Sequence, residues 1–324
     1  MAQYDLLTKR KKYSESRLSE LKQRIEKIDV LTKIPELCIY VTGSYGRREA
    51  SEYSDLDLFF LHKGTVKDNK VSNIYKTLLD AELIKISQDL VFPPFSEDGE
   101  YLQIHYLADM IEDLGSRNDD FSNYFTARLL LILESYPLHN PQIYSEIIGS
   151  ITQTYFRDYH DHHSEFKPIF IANDIIRFWK TLCLNYEHKR NRPDNDSSRK
   201  VKNHIKNLKL KFSRLMTCFS MIYAVSLSKK SINAEELANL IKKSPTSRIN
   251  TENNVECPIV QSILNEYTWF LECTGKPSSE LNTWISIEAN RVDAFKHARE
   301  FGNSMYNLLR EGTGDTEAFR FLVI

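Results

Sequence analysis

VTGSYGRREASEYSDLDLFFL, residues 41–61, is the stretch that decides the fold. It places a Gly-Ser pair, Gly43 and Ser44, shortly before an Asp-Leu-Asp, Asp55 to Asp57, that is embedded in an apolar run. A surface turn does not need such a neighbour, and a core strand normally avoids two ionised carboxylates. The stretch therefore calls for a functional explanation as well as a structural one.

The residues on both sides of the Gly-Ser pair predict two short strands. LCIYV (37–41) is an apolar run of strand length, Gly43 marks a turn, and DLFFL (57–61) is a second run. Side chains alternate along an extended chain, so Asp55 and Asp57 would point to one face. The residues of the other parity would enter the core: Leu56, Leu58 and Phe60.

Two carboxylates on one face favour a metal site. Like charges this close cost free energy unless something neutralises them, and a divalent cation does so well. Mg²⁺ prefers oxygen ligands and leaves room for substrate phosphates. Two such ions can stabilise the attacking and leaving oxygens of a phosphoryl-type displacement. The alternative is a turn at the start of the strand, with Ser54 and Asp55 as a cap and Asp57 exposed.

The Gly-Ser turn supplies groups that suit a phosphate. Gly43 permits a tight turn and a close approach of the backbone. The hydroxyl of Ser44 and the N–H groups of the turn can donate to phosphate oxygens, especially where a short helix begins. Arg47 and Arg48 follow directly and would add positive charge. The sequence thus predicts a turn that binds the triphosphate beside an Asp pair that binds the metal.

This order of strand, Gly-Ser turn and Asp-Leu-Asp resembles the signature of the DNA polymerase β-like nucleotidyltransferase superfamily. It is most similar to the version found in PII-protein uridylyltransferases and related bacterial nucleotidyltransferases. The close resemblance covers about 20 residues, and a looser similarity of helical segments extends further along the chain. The matching positions are Gly43, Ser44, Gly46, Arg47, Glu49, Ser54, Asp55, Asp57 and Leu58.

The resemblance implies a fold and a reaction. It implies that Asp55 and Asp57 bind Mg²⁺, as two ions, and position a nucleoside triphosphate such as ATP. An acceptor attacks the α-phosphate and pyrophosphate leaves. The acceptor is expected to be a protein side chain, an RNA end, a small molecule or another nucleotide. The rival hypothesis is a nucleotide-binding or protein-interaction module on the same fold that has lost catalysis.

A third carboxylate is usual in the family, on a later strand. The candidate strand here is YLQIHYL (101–107), which carries Gln103 at that position. Glutamine can coordinate a metal through its oxygen but cannot act as a base. Asp98 and Glu100 are possible substitutes. His105 either accepts a proton near neutral pH or is an ordinary strand histidine.

The remaining segments predict an α+β fold, with a small mixed-sheet module followed by a mainly helical region. A helix is predicted over 4–30 and another over 73–83, and 83–92 is predicted to be a third strand or an extended segment. Later helices are predicted over 121–135, 142–158, 171–190 and 199–227. The predicted domains are an N-terminal helix (1–32), a nucleotidyltransferase module (33–115) and a helical domain closing the cleft (116–324).

A basic segment lies in the last of these predicted helices. Residues 199–214 contain seven Lys or Arg and no acidic residue. An apolar stripe at helical spacing is expected to be its buried side, formed by Val201, Ile205, Leu208, Phe212 and Leu215. Lys206, Lys209 or Lys211 would then reach the triphosphate or an anionic acceptor, unless the basic side is only a solvated surface.

Composition excludes several classes of protein. The net charge of −1 gives no global attraction to nucleic acid or anionic membranes. The five cysteines form no CxxC pair, which favours a reduced, cytoplasmic protein. No apolar run approaches the ~18 residues of a spanning helix, so no membrane partner is expected. P-loop, GxGxxG, HExxH and GxSxG motifs are absent from the sequence.

Overall fold

The computed structural model describes residues 2–95, 102–157, 159–161, 166, 168–191, 197–226, 232–251 and 256–313. The chain forms two compact units. The sheet unit contains residues 5–157 and 234–244, and the helical unit contains residues 158–233 and 245–324 together with the first four residues. The predicted domain boundary at residues 115 and 116 lies inside the sheet unit.

The sheet unit combines four short strands with helices on both faces, which confirms the predicted α+β class. Its strands are β1 (Leu37–Val41), β2 (Leu58–His62), β3 (Ile104–Tyr106) and β4 (Tyr136–His139). Its helices are α1 (Ala2–Ile25), α2 (Gly43–Gly46), α3 (Val66–Asn69), α4 (Asn73–Asp89), α5 (Leu107–Glu112), α6 (Arg117–Phe121), α7 (Tyr124–Glu134), α8 (Pro141–Thr154) and α12 (Ala234–Ile241), with a 3-10 turn at Asp29–Lys33.

The strands form one mixed sheet in the order β3-β2-β1-β4. β1 and β2 are antiparallel, with Leu37 opposite His62 and Val41 opposite Leu58. β2 and β3 are parallel, and a parallel pair requires a long crossover, which here contains α3 and α4. β4 is antiparallel to β1 and occupies the edge.

Each face of the sheet is covered by helices. On one face, β1 and β2 share a core with α1 and α4, to which the helices contribute Leu18, Leu21, Ile25, Leu79 and Leu83. On the other face, the rings of Tyr40 and Phe59 stack at 5.6 Å. Tyr144 of α8 lies 6.5 Å from Tyr40 on that face. β1 and β2 are therefore buried along their whole length, so polar chemistry is expected at their ends.

One prediction around the sheet is wrong, and one strand was not predicted. The segment 83–92 is not a strand, because α4 continues to Asp89. Leu79, Leu83 and Ile86 are buried at helical spacing, so burial of one helix face decides the conformation there. β4 was not predicted, although its Pro137 fits an edge strand, where a missing N–H costs little.

The helical unit contains the remaining helices. They are α9 (Ile169–Arg190), α10 (Ser197–Lys209), α11 (Leu215–Ser226), α13 (Pro245–Ile249), α14 (Pro258–Thr274), α15 (Ser278–Ser286) and α16 (Glu288–Thr313), with a 3-10 turn at Tyr159–Asp161. A π-helical segment, Leu210–Arg214, joins α10 to α11, where one continuous helix was predicted. Its Phe212 is buried against Phe270 and Phe301, at 4.8 and 4.9 Å between ring centroids.

Within the described part of the chain, no helix is both long enough and apolar enough to cross a bilayer.

Candidate functional site

The candidate site begins where β1 ends and the chain turns into the single helical turn α2. Gly43 has φ of +64°, a conformation that favours glycine over residues with a side chain. The N–H of Thr42 donates to the carbonyl of Asp57 at 2.9 Å. This bond continues the β1–β2 pairing by one residue, so it fixes the segment that carries the acidic pair beside the turn.

Besides its positive φ, Gly43 is restricted to glycine by its contact with Asp57. A methyl group at position 43 would collide with Oδ2 of Asp57. The carboxylate therefore lies against the bare Cα of the turn. Gly43 and Asp57, which are 14 residues apart in sequence, thus bring the two halves of the predicted site together in space.

The variant Gly43→Ala is expected to lose both stability and activity. The left-handed backbone costs a non-glycine residue about 1–2 kcal/mol, and the methyl group must displace the Asp57 carboxylate. Misplacing a reactive group by an ångström can cost roughly a hundred-fold in rate. Gly149→Ala in α8 is the matched control, because a methyl there meets nothing within 4 Å. Equal unfolding midpoints for the two variants would contradict this account.

The acidic pair precedes β2 in an extended segment. Asp55 is exposed and Asp57 is half-buried, whereas Leu56 and Leu58 are each 2% exposed. The expected alternation of carboxylates away from the core and leucines into it is therefore present. The boundary differs from the prediction, since β2 begins at Leu58 rather than at Asp57.

Ser44 lies in the first turn of α2 and is half-exposed. Its carbonyl accepts a hydrogen bond from the N–H of Glu49 at 2.8 Å, which closes the chain behind the turn. The N–H groups in the first turn of a helix have no acceptor within that helix. The hydroxyl and these N–H groups are thus of the kind that binds phosphate oxygens.

Arg47 has different partners from the phosphate that the sequence predicts. Its guanidinium is buried, and Nε lies 2.9 Å from Oε2 of Glu49 while Nη1 lies 2.6 Å from Oε2 of Glu134. The side chains of Arg47, Glu49 and Glu134 are only 8%, 3% and 0% exposed. Two buried carboxylates thus contact this guanidinium and connect the turn to the end of α7. Binding of a nucleotide by Arg47 stays a prediction. Arg48 is more exposed, has φ of +61° and lies 4.0 Å from Glu15.

Glu134 is the residue that sequence reasoning missed. It ends α7, 87 residues from Arg47, and no local motif links the two positions. Gly46 confirms the same anchorage, because a methyl group there would collide with the carbonyl oxygen of Glu134 and lie 2.8 Å from that of Val41. The end of α7 therefore packs against the Gly-Ser turn and holds it in place through Glu134.

The position of the expected third carboxylate is only partly described. Gln103 is exposed and directly precedes β3, which is shorter than predicted. Asp98 and Glu100 lie outside the described residues. His105 is 5% exposed and lies between the rings of Phe59 and Tyr124, at 6.5 and 5.8 Å. Burial lowers the pKa of His105 to about 4, so this histidine is a neutral core residue at pH 7.

His105 gives a testable pH dependence. Its ordinary pKa is 6.5 and its folded-state pKa is about 4, so between these values the unfolded chain binds a proton that the folded chain does not. Stability is therefore lost as pH falls from about 6.5 to about 4, by roughly 3 kcal/mol from this group. His105→Phe keeps an aromatic ring there and should flatten that part of the curve in urea unfolding. An unchanged pH profile would contradict the assignment.

The basic segment follows its predicted periodicity in part. Leu208 and Phe212 are buried, Val201, Ile205 and Leu215 are half-buried, and Lys206, Lys209 and Lys211 are exposed. All of them belong to the helical unit. Binding of a phosphate by these lysines stays a prediction.

Part of the sheet unit matches a known protein family. Residues 18–118 match the family model described as a nucleotidyltransferase domain. This segment is a nucleotidyltransferase domain. The match confirms the superfamily to which the Gly-Ser and Asp-Leu-Asp signature points, and it does not separate the PII-uridylyltransferase group from others. A search of curated proteins finds no match to the chain.

The sheet unit extends beyond the residues that match the nucleotidyltransferase family model. The match ends in α6, whereas α7 supplies Glu134 and β4 completes the sheet beside β1. The support of the Gly-Ser turn thus comes from a part of the sheet unit that the family model does not cover.

Proposed function

We propose that this protein is a metal-dependent nucleotidyltransferase that transfers a nucleoside monophosphate from a Mg²⁺-bound nucleoside triphosphate to an acceptor. The observation that carries the proposal is the contact between the bare Cα of Gly43 and the carboxylate of Asp57. It brings together the turn that we propose binds phosphate and the side chain that we propose binds metal.

The residues fit a hard divalent cation. Asp55 and Asp57 offer carboxylate oxygens on the side of the segment away from the core, and the space beside Gly43 would be filled by any Cβ. In the proposal both carboxylates bind Mg²⁺, as two ions. When bound, the metal would neutralise charge on the phosphates and on the leaving pyrophosphate.

The chain's own residues bind and position the nucleotide. The hydroxyl of Ser44 and the N–H groups of the first turn of α2 donate to phosphate oxygens, and Gly43 lets the backbone approach them. Glu134 and Glu49 hold the turn through Arg47. Lys206 and Lys209, exposed on α10, remain candidates for the triphosphate or an anionic acceptor. Catalysis would then be mainly positioning and charge stabilisation.

The acceptor is the less defined substrate. In the reaction, an acceptor oxygen or nitrogen forms a bond to the α-phosphorus, the bond to the β-phosphate oxygen breaks, and the acceptor loses a proton. The resemblance to uridylyltransferases favours a protein side chain, ahead of an RNA end or a small molecule. ATP or another nucleoside triphosphate is the donor, and the cysteine pattern supports a cytoplasmic location.

Gln103 favours one alternative function. A glutamine cannot take the acceptor's proton, and His105 is buried and neutral. The described residues of β3 therefore carry no carboxylate for this step. The alternative is a domain that binds nucleotide or a protein partner without transfer.

A labelling experiment distinguishes the two functions. The protein is incubated with each α-³²P-labelled nucleoside triphosphate, Mg²⁺ and cell lysate, and both label transfer and pyrophosphate release are measured. The matched control is Asp55→Asn/Asp57→Asn. Transfer that the control lacks supports the enzyme, whereas Mg²⁺-dependent nucleotide binding without turnover favours the alternative.

A further inference from the structure

A second group of metal-ligating side chains lies in the helical unit, between α14 and α16. Glu266 of α14 and His297 and Glu300 of α16 each present one ligand atom, and these atoms all lie within 4.8 Å of one another. They belong to neither the Asp pair nor the nucleotidyltransferase domain. We propose that these three residues form a binding site for a divalent transition-metal ion such as Zn²⁺.

The helices hold the three residues in a fixed arrangement. His297 and Glu300 are one turn apart on α16, so they share a face. The hydroxyls of Ser262 and Ser304 lie 3.0 Å apart across the same pair of helices. Together with the Glu266–His297 pairing, this contact shows that α14 and α16 run antiparallel. A site between two packed helices needs little reorganisation to bind an ion.

The imidazole is oriented before any ion binds. Its ring stacks on Trp269, with centroids 4.0 Å apart and planes inclined by 19°. Its Nδ1 lies 2.7 Å from Oε2 of Glu266, a distance at which Nδ1–H donates to the carboxylate. Asp293 lies 3.8 Å from Nε2 on the other side of the ring.

The donor set selects the class of ion. One imidazole nitrogen with two carboxylate oxygens suits Zn²⁺, Co²⁺ and related ions, whereas Mg²⁺ prefers oxygen alone. Three protein ligands leave at least one position of a tetrahedral ion for water. Glu266 and His297 are half-buried and Glu300 is exposed, so an ion has access from solvent. Its effect would be to tie α14 to α16 and stabilise the helical unit.

Trp269 provides the readout for a test that does not depend on activity. Co²⁺ is titrated into the full-length Asp55→Asn/Asp57→Asn protein, so that the proposed catalytic carboxylates cannot contribute. Tryptophan fluorescence should fall and a Co²⁺ absorption band should rise together. Zn²⁺ should displace Co²⁺ and raise the unfolding temperature, since a ligand that binds only the folded state stabilises it, whereas Mg²⁺ should do neither.

Matched variants make the site falsifiable. His297→Gln and Glu300→Gln should each weaken Co²⁺ binding at least about ten-fold, and Glu300 is exposed, so its variant is expected to fold normally. Glu288→Gln, an exposed acid at the start of α16, should bind as the parent does. Trp269→Phe should keep the absorption band and lose the quenching. Absence of Co²⁺ binding, or binding that both ligand variants retain, would overturn the proposal.

Discussion

Replacing Asp57 by Asn is expected to lower nucleotidyl transfer by about three orders of magnitude or more, with no loss of stability. The amide has nearly the shape of the carboxylate, so it still fits against Gly43. It lacks the charge that would bind Mg²⁺. The amide oxygen of asparagine can also accept the hydrogen bonds that a carboxylate oxygen accepts. In metal-free buffer the variant should therefore unfold at about the same temperature as the wild type.

The measurement pairs transfer rate with thermal unfolding in the same preparations. Asp89→Asn is the matched control, because it changes an exposed aspartate at the end of α4 in the same domain. That variant should keep wild-type transfer. If Asp57→Asn retains transfer within ten-fold of the wild type, Asp57 is not a metal ligand. If it loses activity and stability together, its role is structural.

This expectation depends on a part of the fold that the sequence could predict. β1 was predicted at Leu37–Val41 and lies there. The alternation of Asp55, Leu56, Asp57 and Leu58 is also present. Both are visible within a few residues of sequence, because β1 is a continuous apolar run and the segment before β2 buries every second side chain. The Gly-Ser turn is equally local, because only glycine takes φ of +64° without strain.

The parts that could not be predicted depend on distant residues. Glu134 reaches Arg47 across 87 residues, so its function as a partner has no local pattern. β4 is four residues long and contains a proline, and it is a strand because β1 leaves an edge to pair with. The π segment at Leu210–Arg214 places Phe212 among rings from α14 and α16. In each case tertiary contacts override the local signal.

Tertiary contacts also decide why the two units alternate along the sequence. α12 lies late in the sequence but belongs to the sheet unit, where it contacts α8. Its burial is limited to one side, at Leu237 and Ile241, which any amphipathic helix would show. A periodic pattern predicts that a helix has a buried face. It does not predict which surface covers that face.

Arg47→Met is expected to destabilise the sheet unit by about 3–5 kcal/mol, because it leaves Glu49 and Glu134 buried without their cation. Methionine matches the length of the arginine stem and should limit the loss of packing. The midpoint of urea unfolding measures the effect, with the slope checked for an unchanged exposure of surface. A direct phosphate ligand would behave differently, since its loss would raise KM for the nucleotide and leave the unfolding midpoint in place.

The triple variant Arg47→Met/Glu49→Gln/Glu134→Gln separates charge from packing. Removing both carboxylates along with the cation takes away the uncompensated charges, so much of the lost stability should return. The rate of nucleotidyl transfer should recover only if the new glutamine side chains at positions 49 and 134 still keep α7 packed against the turn. If the triple variant is as unstable as Arg47→Met, the arginine acts through its packing rather than its charge. If Arg47→Met is stable and only KM rises, Arg47 binds the nucleotide, and the buried ion pairs cannot be its main function.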